Sequence, residues 1–241
     1  MNHDNPADRL LAIILEGKKY PGHEGCLGVW QRIFGTSDNS TILTRLGLTA
    51  DLPRQVVVAL REANPNRTPT WNHWFPQIVS AFTRQQLTGQ WQTFIGVIDQ
   101  HSIDGLQSAA GLLEHITPKS LIGTTQLDEL KEKLTEVLQE VRDSVDIDAK
   151  LKKIILKAVS GIINAIDQYF IEGVDGIAEA VEKAAGAVAR NDVARQFIKK
   201  EGLGRKVLGA LKLVNGTVDS TETVKDFGEN AHEALEWLNL I

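Results

Sequence analysis

The sequence predicts an all-α protein, a multi-helix bundle with a long central helix and helical hairpins. Three observations lead there. Apolar residues recur at spacings of three and four through most of the chain, no segment alternates convincingly at period two, and Pro, Gly and capping residues punctuate the helical stretches. With 241 residues, 42% hydrophobic and 24% charged, the chain has the composition of a globular protein with a real core. Two regions are expected: an aromatic-rich N-terminal helical region over 1–120 and a C-terminal helical bundle over 121–241.

The first helix starts at "NPADRLLAIIL", where Asn5 can cap and Pro6 takes the first helical position. "EGKKYPGHEGCLG" is a glycine-rich loop, and "VWQRIF" a short helix closed by Gly35. After "SDNSTILTRLGLT", Asp51 is read as the cap of a new helix with Pro53 in its first turn and Val56, Leu60 and Ala63 on one face. Val56 to Val58 would suit a strand, but no partner strand is apparent. Pro65 and Pro69 stop this helix. "WNHWFPQIVSAF" aligns Trp71, Trp74, Phe75, Ile78 and Phe82 on one helical face, with Pro76 opening or kinking the helix. Two further helices follow, with a break near Ile103 to Gly105 and an end at Pro118.

The second region is more regular. Thr125 and Asp128 have the spacing of a capping box, and Leu127, Leu130, Leu134, Val137 or Leu138, Val141 and Val145 form a narrow apolar seam. The strongest pattern is one broad stripe of Leu151, Ile154, Ile155, Ala158, Val159, Ile162, Ile163, Ile166, Tyr169 and Phe170. A helix of about 24 residues, on the order of 36 Å long, is expected there, with Lys152, Lys153, Lys157, Asn164 and Asp167 on its polar face. "GVDG" then reads as a helix-to-helix turn, with Gly173 left-handed and Asp175 capping the next helix. A GxxG nucleic-acid clamp fails on charge, since Glu172, Asp175 and Glu179 flank the motif. "VIDQHSIDGLQSAAG" echoes this helix–break–helix unit in the first region, with few matching residues. Glycines 202, 204 and 209 interrupt the next helical stretch, and "GENAHEALEWLNLI" gives a final amphipathic helix with Ala231, Leu235, Leu238 and Trp237 inward.

A net charge of −5 and a pI near 5.7 disfavour a general nucleic-acid binder. A lone cysteine, Cys26, excludes an internal disulfide, and with a start that carries Asp4 and Asp8 and no basic leader, a cytoplasmic location is expected. No stretch stays apolar for the roughly 18 residues that a spanning helix needs. "GLGRKVLGA" lacks the preceding strand and the Lys-Ser/Thr ending of a phosphate loop, so a glycine-loosened helix start is preferred. The six histidines include no pair spaced for a helix-face metal site. His23, Glu24 and Cys26 in "HEGC" have the residue types of a thiol nucleophile with a base, but adjacency in sequence carries little weight. Asp99, His101 and Asp104 offer an acid–base cluster; at a helix break Asp and Ser are more often caps. No catalytic, cofactor-binding or metal-ligating residue is therefore assigned.

The stretch "DIDAKLKKIILKAVSGIINAIDQYFIEGVDGIAEAVEKAAGAVA" resembles a helical segment of uncharacterised bacterial proteins, in which a long helix ending in Tyr-x-Ile-x-Gly precedes Gly-Ile/Leu and another helix. Tyr169, Ile171, Gly173, Gly176 and Ile177 carry the resemblance, which spans residues 146–190 and leaves the first 120 untouched. It implies a bacterial cytosolic helical protein of a mobile or defence locus and transfers no catalytic residue.

The leading functional expectation is a non-enzymatic helical interaction module, an adaptor, sensor or regulator with a protein partner or a second copy of itself. Candidate contact residues are Trp71, Trp74 and Phe75, for which core packing is the favoured reading, together with Leu130, Leu134, Val137, Ile155, Ile162 and Tyr169. One alternative is a membrane-active effector or toxin using "LKKIILKAVSGIINAI" and "KKEGLGRKVLGALKLV", with lysines 152, 153, 157, 199, 200, 206 and 212 toward anionic lipid; a solvated face is their default reading. A helical hydrolase or nuclease is the second alternative, with Asp99 and His101 as its first candidates.

Overall fold

The computed structural model describes residues 4–65, 70–116, 120–200 and 202–219. The protein is all-α: the described residues are 79% helical, with eleven helices and no sheet among them. Its contacts divide it into two compact units, Met1–Lys119 and Ser120–Ile241. The expected final amphipathic helix over 228–241, and Pro69 and Pro118 as helix stops, fall outside the described residues.

In the first unit, α1 (Pro6–Lys18) begins as the sequence indicates, with Asn5 Oδ1 accepting from the N–H groups of Ala7 and Asp8 and Pro6 in the first turn. This satisfies two donors that a helix start otherwise leaves orphaned. The helix buries Leu10, Leu11, Ile13 and Ile14 against α2 (Cys26–Phe34), α3 (Asn39–Ala63) and α6 (Gln100–Ile116). Gly35 ends α2 in the left-handed region at φ 62°, as a terminating glycine does. The run Val56 to Val58 lies inside α3, a single 25-residue helix capped by Asp38 and not by Asp51. Asp51 instead pairs with Arg54 one turn on, and Pro53 is buried within the helix, where tertiary packing outweighs the missing N–H.

α4 (Trp74–Arg84) takes Pro76 in its first turn, and α5 (Gln92–Ile95) is a single turn. α6 runs through Ile103 to Gly105 without the expected break, which lies earlier, where Asp99 Oδ1 accepts from Ser102 N–H at 2.7 Å. Gly105 stays helical because its missing Cβ makes room for Trp74, whose Cδ1 would lie 2.8 Å from an added methyl. The core is aromatic: the Trp30 ring lies 5.0 Å from Phe34 and Phe94 and 5.1 Å from Trp91, and the Trp91 indole donates to Gly17 O at 2.9 Å.

The second unit is a ring of four helices. α7 (Thr124–Asp143) packs on α8 (Ala149–Asp167), α8 on α9 (Tyr169–Ala189), α9 on α11 (Leu203–Asp219), and α11 back on α7, while α10 (Asp192–Lys199) packs on α8, α9 and α11. Lys131 Nζ meets Asp167 at 2.6 Å and Lys206 Nζ meets Glu140 at 2.7 Å, so α7 runs antiparallel to both of its neighbours. Leu130, Leu134, Val137 and Val141 of the α7 seam meet Leu151, Ile155, Val159, Ile162 and Ile166 of the α8 stripe in one core. Burying a Leu or Ile side chain there contributes about 1.5–3 kcal/mol.

Four sequence readings are corrected in this unit. α7 ends at Asp143, leaving Val145 in the following loop and 92% exposed, because Asp148 caps a new helix nearby. At its start α7 uses Gly123, whose N–H donates to Gln126 Oε1 at 3.2 Å, and not a Thr125–Asp128 box. The central helix has 19 residues and ends at Asp167. Gln168 (φ −105°, ψ 5°) and Gly173 (φ 67°, ψ −159°) share the reversal, so Gly173 is left-handed as expected, but Asp175 lies within α9. The corner before α11 has a similar cause: Gly202 takes φ 84°, and any Cβ on Gly204 would sit 2.0 Å from Phe197 O.

Candidate functional site

The outer face of the α8–α9 pair forms an open groove with a cavity volume of about 740 Å³. Its floor is made of small side chains at helical spacing: Ala158, Gly161 and Ala165 from α8, and Gly176, Ala180, Ala184 and Ala187 from α9. Small residues let the two backbones approach and leave depressions where larger side chains would stand as ridges. At Gly161 the opening is complete, since an added Cβ would meet nothing within 4 Å. Gly176 serves a different purpose, because a Cβ there would lie 2.5 Å from Glu172 Cβ.

The rim is polar and divided by charge. Because the pair is antiparallel, Lys157 of α8 lies toward the end where Lys183 and Arg190 of α9 stand, whereas Glu172 stands at the end near Gln168 and Glu179 lies between, one turn from Lys183. Glu179 and Lys183 form an exposed pair at 2.7 Å, an arrangement that contributes little to stability. None of the nine contact residues expected from the sequence lines this groove, although Lys157, Ala158, Glu172, Gly176 and Glu179 stand in patterns read there for other reasons. The groove's signal was nevertheless present, as Ala or Gly recurring every three or four residues on two successive helices.

The expected contact residues are placed elsewhere. Trp74 is buried under Gly105, and Leu130, Leu134, Val137, Ile155 and Ile162 are buried in the core of the second unit. Tyr169 is partly buried, its hydroxyl accepting from Ile122 N–H at 2.9 Å. Phe75 is half-buried with its ring 6.2 Å from Trp74, and Trp71 is half-buried beneath the Arg61 guanidinium, 5.4 Å from the ring centre. Six of the nine are thus packing residues of their own unit.

The chemical candidates also resolve into structural roles. Backbone bonds from Cys26 N to Gly89 O (2.9 Å) and from Trp91 N to Glu24 O (2.7 Å) strap the "HEGC" loop to residues 89–91. Cys26 is consequently buried, and burial pushes its thiol up to about 11. A thiol so protected is a poor nucleophile at neutral pH, and His23 beside it in sequence is exposed. Asp99 is brought to His73, whose Nε2 lies 3.0 Å away, and the His73 and His101 rings are 4.4 Å apart. The Ser102 N–H and then the Gln77 amide hold the Asp99 carboxyl well below the usual carboxylate range, which suits a cap joining α4 to α6 and makes a weak base. Asp104 bonds Gln100 instead. Among the described residues no three His, Cys, Asp or Glu side chains are grouped to hold a metal ion, and no helix is long and apolar enough to cross a membrane.

By class, then, this is an all-α protein with a groove on a helical pair. Comparison with protein-family models, with curated proteins and with solved structures finds no match to the chain.

Proposed function

We propose that the protein is a helical interaction module whose α8–α9 groove receives an amphipathic helix. The observation that carries this reading is the groove itself: an Ala/Gly floor, a polar rim and a course of residues 154 to 168 along α8, on the order of 21 Å. Such a trough suits Leu- or Ile-sized side chains projecting at i, i+3 or i+4, and i+7 from a partner helix. The rim charges select its direction. A docked helix is favoured with its positive N-terminal end by Glu172 and its negative C-terminal end by Lys157 and Arg190, parallel to α9. A bacterial setting at a mobile or defence locus is part of the same proposal and rests on the resemblance of residues 146–190.

The membrane-active alternative would require the bundle to open, because Ile155, Ile162, Leu208 and Leu211 face the core and not a surface. No comparable cost attaches to groove binding. The test is a labelled, designed amphipathic peptide with Leu on one face, titrated by fluorescence anisotropy into the full chain and into the Gly161→Trp and Ala180→Trp variants. Saturable binding weakened tenfold or more by either tryptophan supports the groove. Binding that ignores both variants refutes it.

A further inference from the structure

The charges along α9 specify an occupant for the groove. The groove side of this helix carries Glu172, Glu179, Lys183 and Arg190, at intervals of seven, four and seven residues. Such intervals keep all four on one helical face. The pattern inverts in sign about Val181, since each carboxylate lies as far before that residue as a cation lies after it. Two glycines repeat the symmetry. Gly176 and Gly186 are equally distant from Val181, and an added Cβ would lie 2.5 Å from Glu172 Cβ at the first and 3.1 Å from Arg190 Nη1 at the second. Each outer charged side chain therefore lies along the face across a glycine.

A face whose charge inverts about its centre is complementary to itself. When two copies meet on this face, the two-fold axis in the contact plane can run along the groove or across it. An axis along the groove sets like ends together, cations of one copy beside the same cations of the other. An axis across the groove runs α9 antiparallel to the second copy's α9, so that Glu172 meets the second copy's Arg190 and Glu179 meets its Lys183, each pairing made twice. Lys157, at the Arg190 end of the groove, then comes to the second copy's Glu172 end. These are full charges, larger than the roughly half charge at a helix end, so they and not the helix dipole set the direction of α9 in the groove. The small residues Gly176, Ala180 and Ala187 permit an axis separation near the lower limit of about 8 Å.

We propose that α9 of a second copy occupies the α8–α9 groove, pairing two chains about a two-fold axis level with Val181. This rests on the groove being a helix acceptor, as argued above. The contact closes with two copies, because each α9 is both the occupant of one groove and a wall of the other.

The test is analytical ultracentrifugation of the full chain. The wild type is expected to sediment at twice the 26.5 kDa chain mass and to dissociate more readily as salt rises. Glu172→Lys with Glu179→Lys makes the four positions all positive, and Lys183→Glu with Arg190→Glu makes them all negative. Each variant alone should raise the dimer dissociation constant at least tenfold, because like charges then meet at every pairing, while circular dichroism shows wild-type helix content. An equimolar mixture of the two should restore a dimer containing one of each. A monomeric wild type, a dimer indifferent to both reversals, or a mixture that stays monomeric would overturn the proposal. Binding of the designed amphipathic peptide separates this from the groove reading. A monomeric wild type that binds the peptide, with loss in Gly161→Trp, would overturn self-pairing and leave the groove standing; a monomer that does not bind it would remove both.

Discussion

Two glycines of one helix give a sharp test of where Trp74 belongs. Gly105 and Gly111 both lie inside α6, but an added Cβ at Gly105 would come within 2.8 Å of Trp74 Cδ1, while at Gly111 it would meet nothing within 4 Å. Replacing a helical Gly by Ala contributes about 1 kcal/mol from backbone propensity alone, so Gly111→Ala should stabilise the first unit by roughly that amount. Gly105→Ala receives the same gain but must move an indole that is only 1% exposed, at an overpacking cost of about 1–3 kcal/mol. The two variants should therefore differ by about 1–3 kcal/mol in urea unfolding, or several degrees in Tm, with Gly105→Ala the less stable. Were Trp74 instead a surface anchor that swings outward to meet a partner, the two alanines would stabilise equally, and that outcome would refute the packed placement.

Other outcomes follow from the same geometry. Leu134→Ala, truncating a side chain 1% exposed in the α7–α8 core, should cost about 2–5 kcal/mol in chemical denaturation, whereas Val145→Ala, at a position 92% exposed, should stay within about 0.5 kcal/mol; similar losses would contradict the end of α7 at Asp143. Cys26, with its thiol pushed up to about 11, should have roughly one thiolate in a thousand at pH 8 and resist Ellman's reagent until urea is added. Rapid labelling of the native protein would show the loop to be open. Asp99 titrates below its unfolded value, so its contribution is present above the ordinary carboxylate range near pH 3.9 and is lost only as pH falls below it. The Tm difference between wild type and Asp99→Ala should hold from neutral pH to about pH 5 and shrink below about pH 4; a difference unchanged down to about pH 2 would refute the carboxylate's capping role.

Helix starts and stops governed by local chemistry were legible in the sequence, as at Asn5–Pro6, Gly35 and the left-handed Gly173. So were the α7 and α8 apolar seams, because a face buried in a bundle leaves a periodic trace. Features decided by tertiary packing were not. Pro53 looked like a helix start because the ring is disfavoured in helix interiors, yet the flanking Leu52, Val56 and Val57 are buried and hold α3 continuous through it. Gly105 looked like a break, but its role is to accommodate an indole more than thirty residues back in the sequence. The groove was illegible for a further reason. Apolar periodicity marks what is filled, while a row of Ala and Gly marks what is left open, and only the pairing of α8 with α9 joins the two rows.

The most direct measurement of groove recognition is a backbone-amide NMR titration of the full chain with the designed amphipathic peptide that carries Leu on one face. The expected result is a set of saturable shifts confined to the groove, at Ala158, Gly161, Ala165, Gly176, Ala180 and Ala184, with Trp71 and Phe75 of the first unit unmoved. Shifts centred on Trp71 and Phe75, with the α8–α9 alanines silent, would contradict it and place recognition on the aromatic unit.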